Sequence, residues 1–136
     1  MKCHFTVIRS AMIAPLLALL AAAAFARAVY VDSRARGAND GSSWGNACVA
    51  LQDALADANE MEKPVEIWVA QGTYRPDQGA GVKAGDTNAT FRLINGVTIR
   101  GGYAGLTQPD PNAWDPNEYE TILYGDLQGN DDFQDS

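Results

Sequence analysis

Histidine and cysteine are almost absent from this 136-residue chain, and the few there are lie mainly at its start. The only histidine is His4, and of the two cysteines only Cys48 lies beyond residue 28. Catalysis by Ser-His-Asp or Cys-His arrangements needs a histidine, and so does a histidine-ligated zinc site. The sequence therefore excludes these chemistries from residues 29–136. Cys48 is expected to be a small buried apolar side chain.

Basic residues are also scarce after residue 28, where 7 of them stand against 17 acidic residues. A surface with this balance repels the phosphate backbone, which excludes nucleic acid as a partner. The apolar fraction of 46% and the charged fraction of 20% are typical of a globular protein. The length predicts one small domain.

The first 28 residues have the pattern of a secretory signal peptide. Lys2 and Arg9 precede an apolar run that ends at Ala26, and small residues follow at the spacing of a cleavage site, after either Ala26 or Ala28. The run has about 16 residues, whereas a membrane-spanning helix needs roughly 20. We expect residues 29–136 to be exported by a bacterium to the periplasm, the cell surface or the medium. No integral membrane span is expected after cleavage.

Hydrophobic periodicity changes from helical to strand-like along the rest of the chain. Apolar residues spaced by three and four predict a helix over residues 47–60, with Asn46 as its N-cap. Beyond Pro64 the period is two, as in strands with one buried face. The predicted strands are 29–31, 67–69, 91–93, 97–99 and 121–123, with turns at Asn95-Gly96, Gly101-Gly102 and Gly125-Asp126.

Three of the predicted strands align with one another as a repeat. Residues 67–69, 97–99 and 121–123 follow at offsets of 30 and 24. Periods of 20–50 residues indicate a solenoid, in which each strand stacks on its predecessor. A small β-sandwich would give similar strands and turns.

The order of these segments resembles that of secreted bacterial right-handed parallel β-helix proteins of the pectate-lyase-like superfamily. The segments are Tyr30-Val31-Asp32, 37–44, 51–55, 67–74, 91–93, 97–105, 121–126 and 129–132. The resemblance covers residues 29–136 and depends on their order rather than on any single motif. It implies an all-β fold, the start of a right-handed parallel β-helix with one N-terminal capping α-helix. The fold would be incomplete, because only about three coils fit this length.

The resemblance divides the chain into three parts. Residues 1–28 are the signal peptide, residues 29–64 hold the first strand, a loop and the capping helix, and residues 65–136 form the first coils. A solenoid needs a cap at each end, and an uncapped strand edge invites pairing with another chain. We therefore expect an open edge after Leu123, which implies missing coils or a partner chain.

Two polar clusters are candidates for binding or for turns. Hard oxygen ligands in a glycine-containing loop suit Ca²⁺, although the spacing differs from that of an EF-hand and a solvated acidic turn would look the same. This candidate calcium site consists of Asp126, Asn130, Asp131 and Asp132. The other cluster is Asp32, Asn39 and Asp40, where side chains that bond their own backbone predict turns.

Arginine and tryptophan side chains on the strands are the candidate ligand surface. Arg92 and Arg100 alternate with inward residues, and Trp68 is out of phase with its apolar neighbours, so all three are expected to face outward. Exposed charges that deter strand aggregation are the alternative for the arginines. For Trp68, and also for Trp44 and Trp114, packing under a loop is the alternative to stacking on a sugar.

No pair of carboxylates is singled out by its spacing for the hydrolysis of a sugar, so we assign no catalytic residue. The sequence predicts a secreted, non-catalytic β-helix module of an extracellular or cell-surface protein. Its partner would be a polysaccharide or a cell-surface component, and it would require no cofactor. One alternative is the N-terminal part of a polysaccharide lyase or glycoside hydrolase with its site in downstream coils. The other is the N-terminal part of an outer-membrane passenger-type adhesin.

Overall fold

The computed structural model describes residues 25–128, which form one α-helix and five short strands. The strands are β1 (Arg27–Val31), β2 (Val65–Ala70), β3 (Gly72–Tyr74), β4 (Val97–Tyr103) and β5 (Thr121–Leu123). The helix is α1 (Leu51–Glu60), and a 3₁₀ turn at Gly105–Thr107 follows β4.

The strands form two small parallel sheets. One has the order β1-β2-β4, and the other pairs β3 with β5. In the larger sheet Val29 lies opposite Ile67, and Ile67 lies opposite Ile99. Because side chains alternate along a strand, this register places the branched apolar residues of all three strands on one face. That face is the core side of the sheet.

The expected all-β, helix-capped β-helix is wrong. The described residues form a small mixed α/β arrangement, and no solenoid is evident among them. The strands do not repeat as the same set from one turn of the chain to the next. Strands β1 and β4 lie on either side of β2, whereas β3 pairs only with β5. The helix packs against β1 and β2 as part of the core.

The alignment of the three strands as a repeat is also wrong in detail. Ile67 pairs with Ile99 rather than with Val97, so the repeat was shifted by two residues. Residues 121–123 pair with β3, which was not predicted, instead of stacking on β4. Residues 91–93 form no strand. A period of two favours a strand but neither guarantees one nor specifies its partner, because every short apolar strand shows the same alternation.

The helix begins four residues later than predicted. Cys48 forms a parallel bridge with Val31, so the chain before Leu51 is extended rather than helical. The N-cap is Ala50, and the side chain of Asn46 instead accepts a hydrogen bond from the Ala38 amide at 2.9 Å. Cys48 is fully buried, which confirms its expected role as a small core side chain.

The main core lies between the helix and the inner face of the strands. Inward residues of β2 are fully buried, and α1 packs Leu51 and Leu55 onto them. The buried members are Val29, Val31, Cys48, Leu51, Ala54, Leu55, Ala58, Val65, Ile67, Val69 and Tyr74. Burial decreases toward β4, where Val97 and Ile99 are only partly covered.

Ile67→Ala tests this core. Ile67 is 0% exposed, so its loss removes buried apolar surface and leaves a cavity. We expect the free energy of unfolding to fall by about 2–5 kcal/mol in urea denaturation. The control is Ile122→Ala on β5, where the side chain is 39% exposed and the expected loss is much smaller. Equal losses at both positions would contradict the described burial.

Tyr74, the last residue of β3, is a buried member of the main core. The side chain is 1% exposed, and its hydroxyl donates a hydrogen bond to the Ala70 carbonyl at 3.0 Å. Burial, with a smaller contribution from the charge of Asp32, raises the pKa of Tyr74 to about 12. The folded protein therefore holds this proton more tightly than the unfolded chain does.

The stability should therefore fall at alkaline pH. Because the phenol pKa is raised in the folded state, the free energy of unfolding is unaffected by this group below pH 10. Between pH 10 and pH 12 it falls by about 1.4 kcal/mol per pH unit. Tyr74→Phe should remove this part of the pH dependence, at a cost of about 1 kcal/mol at neutral pH for the lost hydrogen bond. Urea denaturation at pH 7, 10 and 11 measures both effects. An unchanged alkaline slope in the variant would contradict the assignment to Tyr74.

Candidate functional site

The outer face of the larger sheet carries a row of large side chains. The parallel register aligns Tyr30 of β1, Trp68 of β2 and Arg100 of β4 across the three strands. Each alternates with inward apolar residues, so each projects away from the main core. Tyr30 and Trp68 are half-buried, and Arg100 is exposed.

A bulge in β4 adds a further aromatic ring to this row. Trp68 pairs with Arg100 but Ala70 pairs with Tyr103, so β4 contains one residue more than β2 over this interval. The extra residue reverses the alternation and brings Tyr103 beside Trp68, with ring centroids 4.9 Å apart and an interplanar angle of 12°. The bulge contains Gly101-Gly102, and Gly102 has a φ of +89°. The predicted turn at this glycine pair is therefore an irregularity within a strand.

Two loops contribute the remaining rings. Trp44 packs edge-on to Tyr30 at 4.9 Å between centroids, and its indole N–H donates to the Asn112 side chain at 2.9 Å. Trp114 donates from its indole N–H to the Gly101 carbonyl at 2.9 Å. We call the complete set the aromatic face, and it consists of Tyr30, Trp44, Trp68, Arg100, Tyr103 and Trp114.

Only some members of the aromatic face are exposed to solvent. Trp44 and Tyr103 are 8% and 4% exposed and form a second small core with Ala70. Burial raises the pKa of Tyr103 even though the charge of Arg100 acts in the opposite direction. Trp114, by contrast, is 48% exposed. The outer part of the face therefore consists of Trp114 and Arg100, with partial contributions from Tyr30 and Trp68.

Arg100 is held over two aromatic rings. Its guanidinium carbon lies 4.4 Å from the centroid of the Trp114 ring and 5.8 Å from that of Tyr103. These cation–π contacts position the charge of this exposed side chain, and a guanidinium carries five N–H donors. Two residues before Trp68 on β2, Glu66 accepts a hydrogen bond from the Trp68 indole N–H at 3.0 Å.

The structure places only some of the ligand-surface residues expected from the sequence on the aromatic face. Trp68 and Arg100 lie on the aromatic face, together with Trp114. Trp44 belongs to the same face but is buried, as packing under a loop would require. Arg92 is exposed in an irregular segment, since residues 91–93 form no strand, and it is not part of the row. Tyr30 and Tyr103 were not anticipated, because their positions depend on strand register and on the bulge.

Many aspartates have a local role in turns. Six accept a hydrogen bond from the backbone N–H two residues later, which is the geometry of an Asx turn. They are Asp32, Asp40, Asp86, Asp110, Asp115 and Asp126. Asn39 has a left-handed φ of +57° and accepts from the Val49 amide at 2.9 Å. The expected turn role is confirmed for Asp32 and Asp40, whereas the Asn39 side chain bonds an amide ten residues later rather than its local backbone.

Asp32 combines its turn with full burial. Its two carboxylate oxygens accept from the amides of Arg34 at 2.9 Å and of Leu106 at 2.8 Å. Gly105 has a φ of +67°, and a Cβ there would lie 2.5 Å from the Asp32 carboxylate, so only glycine fits this approach. Asp32 therefore ties the end of β1 to the 3₁₀ turn after β4.

The candidate calcium site lies largely outside the described residues. Asp126 is described, and it accepts hydrogen bonds from Gln128 at 3.2 Å and from the Tyr124 hydroxyl at 3.5 Å. Asn130, Asp131 and Asp132 lie beyond residue 128. Within residues 25–128, no three His, Cys, Asp or Glu side chains are grouped so that they could hold a metal ion. Calcium binding stays a prediction.

The apolar run of the predicted signal peptide also lies mostly outside the described residues, which start at residue 25. In the described part, no helix has the length and apolar character needed to cross a membrane.

Comparisons with known proteins returned no match: no family model fits the sequence, and neither a curated protein nor a solved structure is similar to it. The resemblance to pectate-lyase-like proteins thus has no support from these comparisons.

Asp32→Asn tests whether this buried carboxylate is structural. An amide keeps one acceptor but places a donor against the Leu106 amide, so one buried N–H loses its partner. We expect the free energy of unfolding to fall by about 1–3 kcal/mol in urea. The control is Asp40→Asn, whose turn oxygen is exposed and whose remaining carbonyl can still accept from Ser42. Similar small losses in both variants would contradict the structural role of Asp32.

Proposed function

We propose that this chain is an exported, non-catalytic module that binds a polysaccharide through the exposed part of its aromatic face. The observation that carries the proposal is the row of Tyr30, Trp68 and Arg100 on one outer sheet face, extended by the half-exposed Trp114. Three strands supply the row, so the side chains are held on a fixed scaffold.

The chemistry of these side chains suits a sugar. Sugar rings present apolar C–H faces that pack on aromatic rings, and their hydroxyls accept and donate hydrogen bonds. Trp114 and Trp68 supply aromatic surface, Arg100 supplies N–H donors, and Glu66 supplies an acceptor beside Trp68. Apolar contacts together with a few polar groups are the usual composition of a ligand site.

Six of the described aspartates have a structural role, which suits binding better than hydrolysis. Hydrolysis of a glycosidic bond needs two carboxyl groups that flank the bond at a defined separation. Six aspartates of the described chain instead bond their local backbone in turns. The lyase, hydrolase and adhesin alternatives depend on downstream regions that this sequence does not contain, and they stay predictions.

Binding can be tested by electrophoresis of the folded protein in gels that contain a soluble polysaccharide. Xylan, laminarin, dextran, hydroxyethylcellulose and polygalacturonate form a suitable panel. We expect retarded migration with at least one of them. Trp114→Ala and Arg100→Gln should each weaken that affinity by about tenfold, or about 1.4 kcal/mol. This is the size of one lost aromatic contact for Trp114 and of one lost hydrogen bond from a charged group for Arg100.

The matched control is Tyr124→Ala. Tyr124 is 39% exposed and lies under Arg75, with 5.5 Å between the guanidinium carbon and the ring centroid, but it is not part of the aromatic face. This variant should bind as the unchanged protein does. Binding that is insensitive to Trp114→Ala and Arg100→Gln, or a lack of retardation in every gel, would contradict the proposal.

A further inference from the structure

Strand β1 overlaps one of the two possible cleavage sites of the predicted signal peptide. Small residues allow cleavage after Ala26 or after Ala28. Strand β1 begins at Arg27, so a cut after Ala26 leaves it whole. A cut after Ala28 removes its first two residues.

Those two residues pair with β2, the central strand of the larger sheet. Arg27 lies opposite Val65 and Ala28 lies opposite Glu66, the first two pairs of the register that continues to Val31. The Arg27 amide also donates to the Pro64 carbonyl at 3.2 Å. Without residues 27 and 28, the start of β2 would lose its neighbour on one edge, beside the 1%-exposed Val65.

The two described residues before Arg27, Phe25 and Ala26, have no comparable role. Ala26 is exposed, and Phe25 is 89% exposed although it is a large apolar side chain. Neither belongs to a strand. Removal of Phe25 takes an exposed aromatic ring off the surface, and removal of Ala26 breaks no described strand pair.

We infer that the processed chain begins at Arg27, through hydrolysis of the Ala26–Arg27 peptide bond by a signal-peptide-cleaving protease. Water adds across this bond, so Ala26 keeps the new carboxylate and Arg27 acquires an α-ammonium group. The ammonium nitrogen is the atom that already donates to the Pro64 carbonyl, and it retains donors for that bond. This inference rests on the proposed export of the chain.

The intact mass of the secreted product decides the cleavage site. The full chain is expressed in a bacterial host, and the product is recovered from the periplasm or the medium. We expect the mass of residues 27–136. A product that begins at Val29 would overturn the inference while leaving export in place. A chain that retains residues 1–26 and stays in the cytoplasm would overturn both.

Two variants separate the sites, because each alters a small-residue position that only one of them uses. Ala28→Val places a branched side chain directly before the second site, and valine is a good strand former at this position of β1. The product should still begin at residue 27. Ala24→Phe alters only the first site, so it should block processing or move the cut to Val29. An unchanged product from Ala24→Phe together with a changed site in Ala28→Val would contradict the inference.

If Ala24→Phe yields a product that begins at Val29, its thermal unfolding adds a second readout. Loss of two strand pairs should lower its Tm by about 5 °C relative to the product that begins at Arg27. Equal Tm values would show that residues 27 and 28 do not contribute to the fold, which would remove the structural reason for the assigned site.

Discussion

Burial of the inner face of β2 is the constraint on which the other elements depend. Ile67 and Val69 are fully buried, and the strand that carries them has a parallel partner on each edge. After Ala70 the chain continues into β3, so β2 also fixes where the smaller sheet begins. Helix α1 packs on the same apolar surface. A one-residue change in the register of β2 would move its inward residues to solvent and its outward residues into the core.

The same register determines the aromatic face. When Ile67 is buried between Val29 and Ile99, Tyr30, Trp68 and Arg100 must align on the opposite side of the sheet. The bulge then turns Tyr103 onto that side. Two further contacts stabilise the arrangement: the Trp44 indole bonds Asn112, and Asp32 bonds the Leu106 amide. The candidate binding surface and the core are therefore two sides of one set of strands.

Local features of the fold could be predicted from the sequence where the relevant interactions are local. Four of the five predicted strand segments lie inside observed strands, and α1 lies within the predicted helix. The turn aspartates could also be anticipated, because a carboxylate reaches an amide two residues away whatever the rest of the chain does.

The start of the helix could not be predicted, because the bridge between Cys48 and Val31 joins distant parts of the chain. The strand at 91–93 was wrong since alternation of apolar residues does not guarantee a partner strand.

The sequence by itself determined the charge balance, the lack of histidine after the first residues and the positions of most strands, and it singled out Trp68 and Arg100 of the candidate ligand surface. Only the tertiary structure decided which strands pair, and hence that the fold is mixed α/β in two small parallel sheets rather than a helix-capped β-helix. It also decided which tryptophans are exposed, because Trp44 is covered by its neighbours while Trp114 is not. The physical reason is that hydrophobic period and turn chemistry act over a few residues, whereas strand partners and bulges depend on contacts between distant segments.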